Sequence, residues 1–208
     1  LGGKNMKTIK CYRFVTNGLK SDYDKNTGWE IGKWNKIDVE SICYKSGFHA
    51  SLTPLQSLNN VFGNRWFIAE ARGKIDKNND KFCSTEMRIV KEIPIEVIKR
   101  FALFCAKDCL KNYEKEYPDD KRVSDCIRIT ELYLDGKATL EEFRAAKSAA
   151  VSAAWSAAWS AAVSAAWSAE CAAWSAAVSA AWSAECARMG AEKRQEKELK
   201  RLIKEYCK

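Results

Sequence analysis

The stretch WFIAEARGKI, residues 66–75, decides the fold class together with TEMRIVKEI, residues 85–93. Both alternate apolar with polar residues, contain branched and aromatic side chains, and have the length of strands. The polar run KIDKNNDK lies between them and is typical of a turn. Working outward, TIKCYRFV at residues 8–15 shows the same pattern. We therefore predict three strands.

A short helix is predicted between the first two of these strands. Thr53 provides an N-cap and Pro54 fits the first helical position. Together these elements indicate a small α+β domain over residues 6–93. Two further helices are predicted after Pro94, and over residues 94–137 they cover the sheet of this domain.

The remainder of the chain, residues 138–208, has the pattern of one long helix. Thr139 and Glu142 form a capping box, and from there to Tyr206 the chain has no proline and a single glycine, Gly190. Such a helix of 68 residues would be about 100 Å long. Residues 148–189 hold an Ala/Ser/Trp repeat and residues 190–208 a charged end.

The repeat is a fifteen-residue block. WSAAVSAAWSAECAA at residues 159–173 is followed directly by WSAAVSAAWSAECAR at residues 174–188. Its bulky residues are spaced 4, 4, 4 and 3 apart, an average of about 3.75 residues per turn. Because this average exceeds 3.6, the apolar row predicts a right-handed supercoil. The expected fold is thus an α+β head on a long Ala/Trp-rich coiled-coil helix.

A row of exposed indoles of this length needs a cover. We expect identical helices of other subunits to supply it, which makes residues 148–189 a homo-oligomerisation surface. Two alternatives stay open: the helix packs back on its own subunit, or it contacts a membrane surface. The predicted oligomerisation residues are Val151, Trp155, Trp159, Val163, Trp167, Cys171, Trp174, Val178, Trp182, Cys186 and Met189.

Charge and cysteine content argue against several classes of protein. The net charge is +8, but acids are interleaved with the bases, so nucleic-acid binding is not indicated. Nine cysteines without a Cys-x-x-Cys pair, beside one histidine, favour neither a disulfide framework nor a metal site. We expect free thiols, no metal and a bacterial cytoplasmic location.

The first five residues, LGGKN, precede Met6. One legal coding of residues 1–6 contains GGAGG a few bases before ATG, so we interpret residues 1–5 as a ribosome-binding site read as protein. A cloning remnant is the alternative.

The only histidine, His49, lies in the segment KSGFHASLTPL. Gly47 allows a tight turn before it, and the free amides of the helix that begins near Thr53 follow it. This arrangement suits a site for an anionic or nucleotide-like ligand, with His49, Arg65 and Arg72 as candidate ligand-binding residues. The alternative is a loop histidine that only packs and has no functional role.

Residues 7–93 resemble an uncharacterised domain family that is common in phages and prophages. The similarity is carried by Gly47-Phe48-His49-Ala50, by the strand RWFIAEARGKI and by an Ala-rich helical tail. This family has no established activity.

More distantly, the order of elements is similar to that of small ADP-ribosyltransferases. That similarity implies NAD as a cofactor, His49 and Glu86 as catalytic residues, and Ser84 and Thr85 as the middle hydroxyls.

Together these patterns favour a non-enzymatic, self-associating protein of phage or bacterial origin that presents a small binding head. No catalytic residue and no cofactor are assigned under this hypothesis. The alternatives are the ADP-ribosyltransferase-like or nucleotide-binding protein and the membrane-surface helix protein.

Overall fold

The computed structural model of the protein describes residues 7–21, 27–38, 46–60, 63–77, 81–152 and 175–208. The side chains of Cys109 and of residues 175–189 are not described, and the predicted leader, residues 1–5, lies outside the described residues. The elements of this part of the chain are β1 (Ile9–Val15), β2 (Asn35–Lys36), β3 (Phe48–Ala50), α1 (Pro54–Leu58), β4 (Arg65–Lys77), β5 (Phe82–Ile93), α2 (Ile95–Glu116), α3 (Arg122–Leu134), α4 (residues 140–152) and α5 (Ser175–Tyr206).

The five strands form one antiparallel sheet in the order β1-β4-β5-β2, and β3 also pairs with β5. β4 is central because it pairs with β1 along one edge and with β5 along the other. The three predicted strands are β1, β4 and β5. Neither of the short strands β2 and β3 was predicted, and β3 directly follows the predicted tight turn at Gly47.

The sheet curls until its two ends meet. Tyr12 in β1 and Ser51, just after β3, exchange two backbone hydrogen bonds of 2.9 and 3.0 Å. β3 itself pairs with β5, so the strands enclose an interior. The buried residues of this interior are Cys11, Val15, Trp29, Phe48, Ala50, Phe67, Ala69, Ala71, Phe82, Met87 and Ile89.

The outer side of β1 and β4 carries a second apolar surface. The ring of Trp66 stacks on Phe14 at 5.6 Å and contacts Tyr12 at 6.3 Å. The indole Nε1 of Trp66 donates to Ser57 Oγ in α1 at 3.0 Å. α1 begins as predicted, with Thr53 as its N-cap and Pro54 in its first turn. This surface therefore holds α1 against the sheet.

The chain divides into two compact units, and the division passes through α2 and α5. The first, called the sheet unit, comprises Leu1–Ile98 and Glu196–Lys208. The second, called the helical unit, is Lys99–Gln195. The last part of the chain thus belongs to the sheet unit.

The C-terminal segment, Glu196–Lys208, is integrated into the sheet unit by apolar and polar contacts. Its residues Leu199, Leu202 and Ile203 are 0, 3 and 4% exposed. The carboxylate of Glu196 accepts from the amide of Leu55 in the first turn of α1 at 3.1 Å. At the other end, Lys91 Nζ donates to the carbonyls of Cys207 and Lys208, at 2.8 and 2.6 Å, and so stabilises the C-terminus of the last helix.

In the helical unit, α2 and α3 are antiparallel neighbours. Arg100 pairs with Asp135, at the end of α3, and Lys107, later in α2, pairs with Glu131, earlier in α3. The two helices therefore run in opposite directions. α4 begins at the predicted capping box, in which Thr139 and Glu142 exchange hydrogen bonds of 2.7 and 3.2 Å.

The predicted single helix over residues 138–208, and with it the coiled-coil stalk, is wrong. Phe143 of α4 stacks on Tyr133 of α3, and Arg194 of α5 pairs with Asp108 of α2 at 2.8 Å. Asp108 adjoins Lys107, which pairs with Glu131 close to Tyr133. A straight helix would separate positions 143 and 194 by about 76 Å. These contacts therefore exclude one straight helix over residues 138–208, and the described C-terminal helix is α5, Ser175–Tyr206.

Candidate functional site

His49 lies in β3, opposite Cys83 of β5. Gly47 precedes it with a φ of +91°, the conformation that the turn at this position needs. The carbonyl of His49 accepts from Arg13 Nη1 at 2.5 Å. Burial lowers the pKa of the half-buried imidazole, and the charges of Arg13 and Lys81 lower it further.

Arg13 is the residue of this site that the sequence analysis missed. Its guanidinium lies over the ring of Trp29, 4.6 Å from the centroid, and donates to Ser21 Oγ at 2.9 Å. Trp29 Nε1 donates to the same hydroxyl at 3.0 Å. A signal was present, because Arg13 interrupts the inward-facing row of β1 between the fully buried Cys11 and Val15.

Glu86 and Arg72 form a second polar cluster on β4 and β5. Arg72 Nε donates to Glu86 Oε2 at 2.7 Å, and Lys36 Nζ lies 3.7 Å from the other carboxylate oxygen. Trp34 lies beside them, with the guanidinium groups of Arg72 and Arg88 at 4.0 and 4.8 Å from its ring. Cation–π contacts and an ion pair thus fix β2 to the sheet.

Arg65, the third candidate ligand residue, is paired elsewhere. Its guanidinium makes a two-pronged contact with the carboxylate of Glu92 at 2.8 and 2.5 Å. The hydrogen bond from Arg65 lowers the pKa of Glu92. Arg65 and Arg72 are seven positions apart in β4, about 23 Å along the strand. The structure does not bring these two arginines to one small-molecule site.

The residues implied by the ADP-ribosyltransferase similarity are engaged in structural contacts. Glu86 is 6% exposed and held by Arg72, three positions along β5 from the partner of His49. Ser84 Oγ donates to the carbonyl of Glu86, and Thr85 Oγ1 accepts from the amide of Lys74. These hydrogen bonds stabilise β5 and the β-bulge of β4 at Gly73.

The lowered pKa of His49 predicts acid sensitivity. The unfolded chain, with an imidazole pKa near 6.5, takes up the proton more readily than the folded chain. The stability that depends on neutral His49 is present above about pH 6.5 and is lost as the pH falls through the folded pKa. NMR titration of the single imidazole should give a midpoint below 6.5. His49→Asn should flatten the acid limb of the stability profile, and an unshifted midpoint would contradict the burial of the ring.

Removing the charge of Glu86 should destabilise the sheet unit. Glu86→Gln leaves Arg72 without its carboxylate in a mostly buried position, and we expect a loss of about 1–3 kcal/mol in the free energy of unfolding. The matched control is Glu92→Gln, because the Arg65–Glu92 pair is more exposed and its loss should cost less than about 1 kcal/mol. Urea unfolding of both variants measures the difference; equal effects would contradict the structural role of Glu86.

For most of the predicted oligomerisation residues, the structure does not describe the side chain. Val151 in α4 is 48% exposed. Trp155, Trp159, Val163, Trp167, Cys171 and Trp174 lie outside the described residues, and Val178, Trp182, Cys186 and Met189 lie in α5 at positions whose side chains are not described. The oligomerisation surface stays a prediction.

The described residues contain neither a metal-ligand cluster nor a helix that could span a membrane. This part of the chain shows no group of three or more side chains suited to a metal ion. Within it, none of the helices has the length and apolar character that crossing a membrane requires. Burial raises the pKa of the Cys11 thiol to about 12, so this cysteine is inert.

The fold and its polar clusters define a curled antiparallel sheet unit joined to an all-helical unit. Residues 9–100 match the model of a domain of unknown function, DUF7666. Residues 89–188 match the model described as an "Imm-5 like putative immunity protein". No curated protein and no solved structure matches the chain.

The two matches follow the two compact units closely. The first covers the strands of the sheet unit, and the second covers α2, α3, α4 and the repeat. The first agrees with the expectation of an uncharacterised domain family. Neither match supports the similarity to ADP-ribosyltransferases. The C-terminal segment lies beyond both matches, and the structure places it in the sheet unit.

Proposed function

We propose that this is a non-enzymatic protein-binding protein of the immunity type, of bacterial or phage origin, which acts in the bacterial cytoplasm. The observation that carries the proposal is the match of residues 89–188 to an immunity-protein family. An immunity protein protects its cell by binding a toxin, and pairs of this kind include some of the tightest protein complexes. The helical unit, Lys99–Gln195, is the binding module.

The surface of the helical unit supports this proposal. None of the residues of α3 is fully buried, and charged side chains such as Arg128 and Lys107 lie on its hairpin with α2. Side chains of this kind steer association with a partner of complementary charge. Stable interfaces bury about 1,200–2,000 Å² in total, which requires a surface of several helical turns.

The state of the candidate catalytic groups supports a non-enzymatic role. The carboxylate of Glu86 forms an ion pair with Arg72, and the hydroxyls of Ser84 and Thr85 are hydrogen-bonded to backbone groups. A catalytic acid or nucleophile must be within reach of a substrate. Self-association through residues 148–189 stays a separate prediction, tested by the solution mass of the full-length chain.

The test uses the protein encoded beside this one as the probe. We expect a one-to-one complex by light scattering, and restored growth when both proteins are expressed in cells that the probe alone inhibits. Arg128→Glu on α3 should weaken the complex about tenfold. The control is Lys33→Glu in the sheet unit, because the two side chains are similarly exposed, at 61 and 64%, and each pairs with an acid three positions away. Failure to bind and to protect would refute the proposal.

A further inference from the structure

The last helix, α5 (Ser175–Tyr206), takes part in both compact units. Up to Gln195 it belongs to the helical unit, and from Glu196 onward it belongs to the sheet unit. The backbone is helical on both sides of this division, so the helix passes from one unit to the other without a break. A secondary element that two units share is a physical route by which the stability of one unit depends on the other.

Two anchors of α5 lie two positions apart, one on each side of the division. Arg194 pairs with Asp108 of α2 in the helical unit, at 2.8 Å. Glu196 accepts from the amide of Leu55 of α1 in the sheet unit, at 3.1 Å. Residues 194 and 196 are separated by only about 3 Å along a helix axis, which is less than one turn. The contacts in both units therefore depend on the helical state of one shared turn.

The C-terminal segment, Glu196–Lys208, needs helical structure to contact the sheet unit. Its buried residues Leu199, Leu202 and Ile203 are spaced three and four apart, so a helix places all three on one side. Isolated helices shorter than about 12–15 residues are marginal in water, because nucleation is unfavourable by a factor of about 10³. When the preceding part of α5 is already helical, this short segment extends an existing helix and avoids the cost of nucleation.

The other helices of the helical unit are connected differently. α4, residues 140–152, lies wholly within that unit. α2 also crosses the division, between Ile98 and Lys99, but only its first four residues belong to the sheet unit. A change that weakens α4 therefore acts on the helical unit, whereas an equal change in α5 before the division acts on both units.

We propose that α5 couples the stabilities of the two units. Helical structure before Gln195 favours docking of the C-terminal segment in the sheet unit, and this docking favours helical structure before Gln195. Thermodynamic linkage makes the two effects equal in size. The sheet unit thereby responds to the state of the helical unit. A partner bound to the helical unit would act through the same helix, but the coupling itself does not rest on the proposed function.

Amide hydrogen exchange of the full-length protein, read at β4 and β5, measures this coupling without any partner. Lys193→Gly weakens α5 at an exposed position of the helical unit, three residues before Glu196. We expect exchange in β4 and β5 to become about threefold to fivefold faster, the factor that corresponds to a glycine inside a helix. Lys147→Gly is the matched control, because it makes the same change at an exposed position of α4. It should leave exchange in the two strands unchanged.

A second control separates the helix from the lost charge. Lys193→Ala removes the same ammonium group but keeps a strong helix former, so exchange in β4 and β5 should stay close to that of the unchanged protein. In the reverse direction, Leu202→Ala in the sheet unit should accelerate exchange at residues 190–194 severalfold.

Three results would overturn the proposal. Unchanged exchange in β4 and β5 of Lys193→Gly, while residues 190–194 exchange faster, would show that the two units open independently. Equal acceleration by Lys147→Gly would show that the chain opens as a whole, with no special part for α5. An effect of Lys193→Ala as large as that of Lys193→Gly would assign the change to the lost ammonium group.

Discussion

Leu202→Asp is expected to unfold the sheet unit at neutral pH. Leu202 is 3% exposed in the C-terminal segment, beside Leu199 and Ile203. Truncation of such a leucine to alanine costs about 2–5 kcal/mol, and a buried, unpaired carboxylate costs more. Because a domain is stable by only about 5–15 kcal/mol, this one substitution removes most of that margin. Loss of near-ultraviolet circular dichroism and a lowered urea midpoint measure the effect.

The control for this prediction is Lys204→Asp. It introduces the same carboxylate two residues away in α5, at a position that is exposed to solvent. Surface changes of this kind are usually within about 0.5 kcal/mol. The chain ending at Gln195 should behave as Leu202→Asp does. A folded and stable Leu202→Asp protein would show that the C-terminal segment is dispensable for the sheet unit.

Gly63→Ala is expected to destabilise the sheet unit by about 2–4 kcal/mol. Gly63 precedes β4 with a φ of +128°, a region that side chains rarely allow. A Cβ at this position would lie 2.3 Å from the carbonyl oxygen of Val15. That carbonyl also accepts from the amide of Asn64 at 3.1 Å, so the backbone has little freedom to move away.

The matched control is Gly28→Ala. No atom lies within 4 Å of a Cβ built at Gly28, and its φ is not positive. This substitution should be neutral, or stabilising by up to about 1 kcal/mol through the unfolded state. Urea unfolding of the two variants compares them directly. Equal free energies of unfolding would contradict the close approach of Gly63 to β1.

The sequence predicted the regular elements whose signals are local. β1, β4 and β5 follow alternation, and the starts of α1 and α4 follow from the capping residues Thr53 and Thr139. β3 is three residues long, too short for a periodic signal, and is defined by its pairing with β5. Contacts that are distant in sequence make such strands, and local propensity does not indicate them.

The long helix was predicted because no turn residue interrupts the repeat. Periodicity indicates that one side of a helix is apolar, but it does not show whether another subunit or the same chain covers that side. In the charged end, Leu199, Leu202 and Ile203 recur at spacings of three and one, as on a helix that packs on a core. The contacts Phe143–Tyr133 and Arg194–Asp108 overturned the stalk, and the burial of these three residues in the sheet unit agrees with that correction.

The candidate site was predicted only in part. His49 follows a tight turn as expected, whereas Arg65 and Arg72 hold separate acids, Glu92 and Glu86. Partners of this kind come from strand register. The register places Arg72 opposite Glu86, and it places Trp66, which follows Arg65, opposite Ile93, which follows Glu92. The local pattern of each strand does not reveal which residues of a distant strand it will face.

Lysine cross-linking of the full-length protein, from a mixture of isotopically light and heavy chains, tests the central claim most directly. The claim is that the chain leaves the sheet unit through α2 and comes back to it through α5. Lys91 Nζ lies 2.6 Å from the carbonyl of Lys208, so we predict a Lys91–Lys208 cross-link within single chains. An outward helix would place Lys208 about 100 Å from the sheet. Absence of this cross-link, or its formation only between light and heavy chains, would contradict the account.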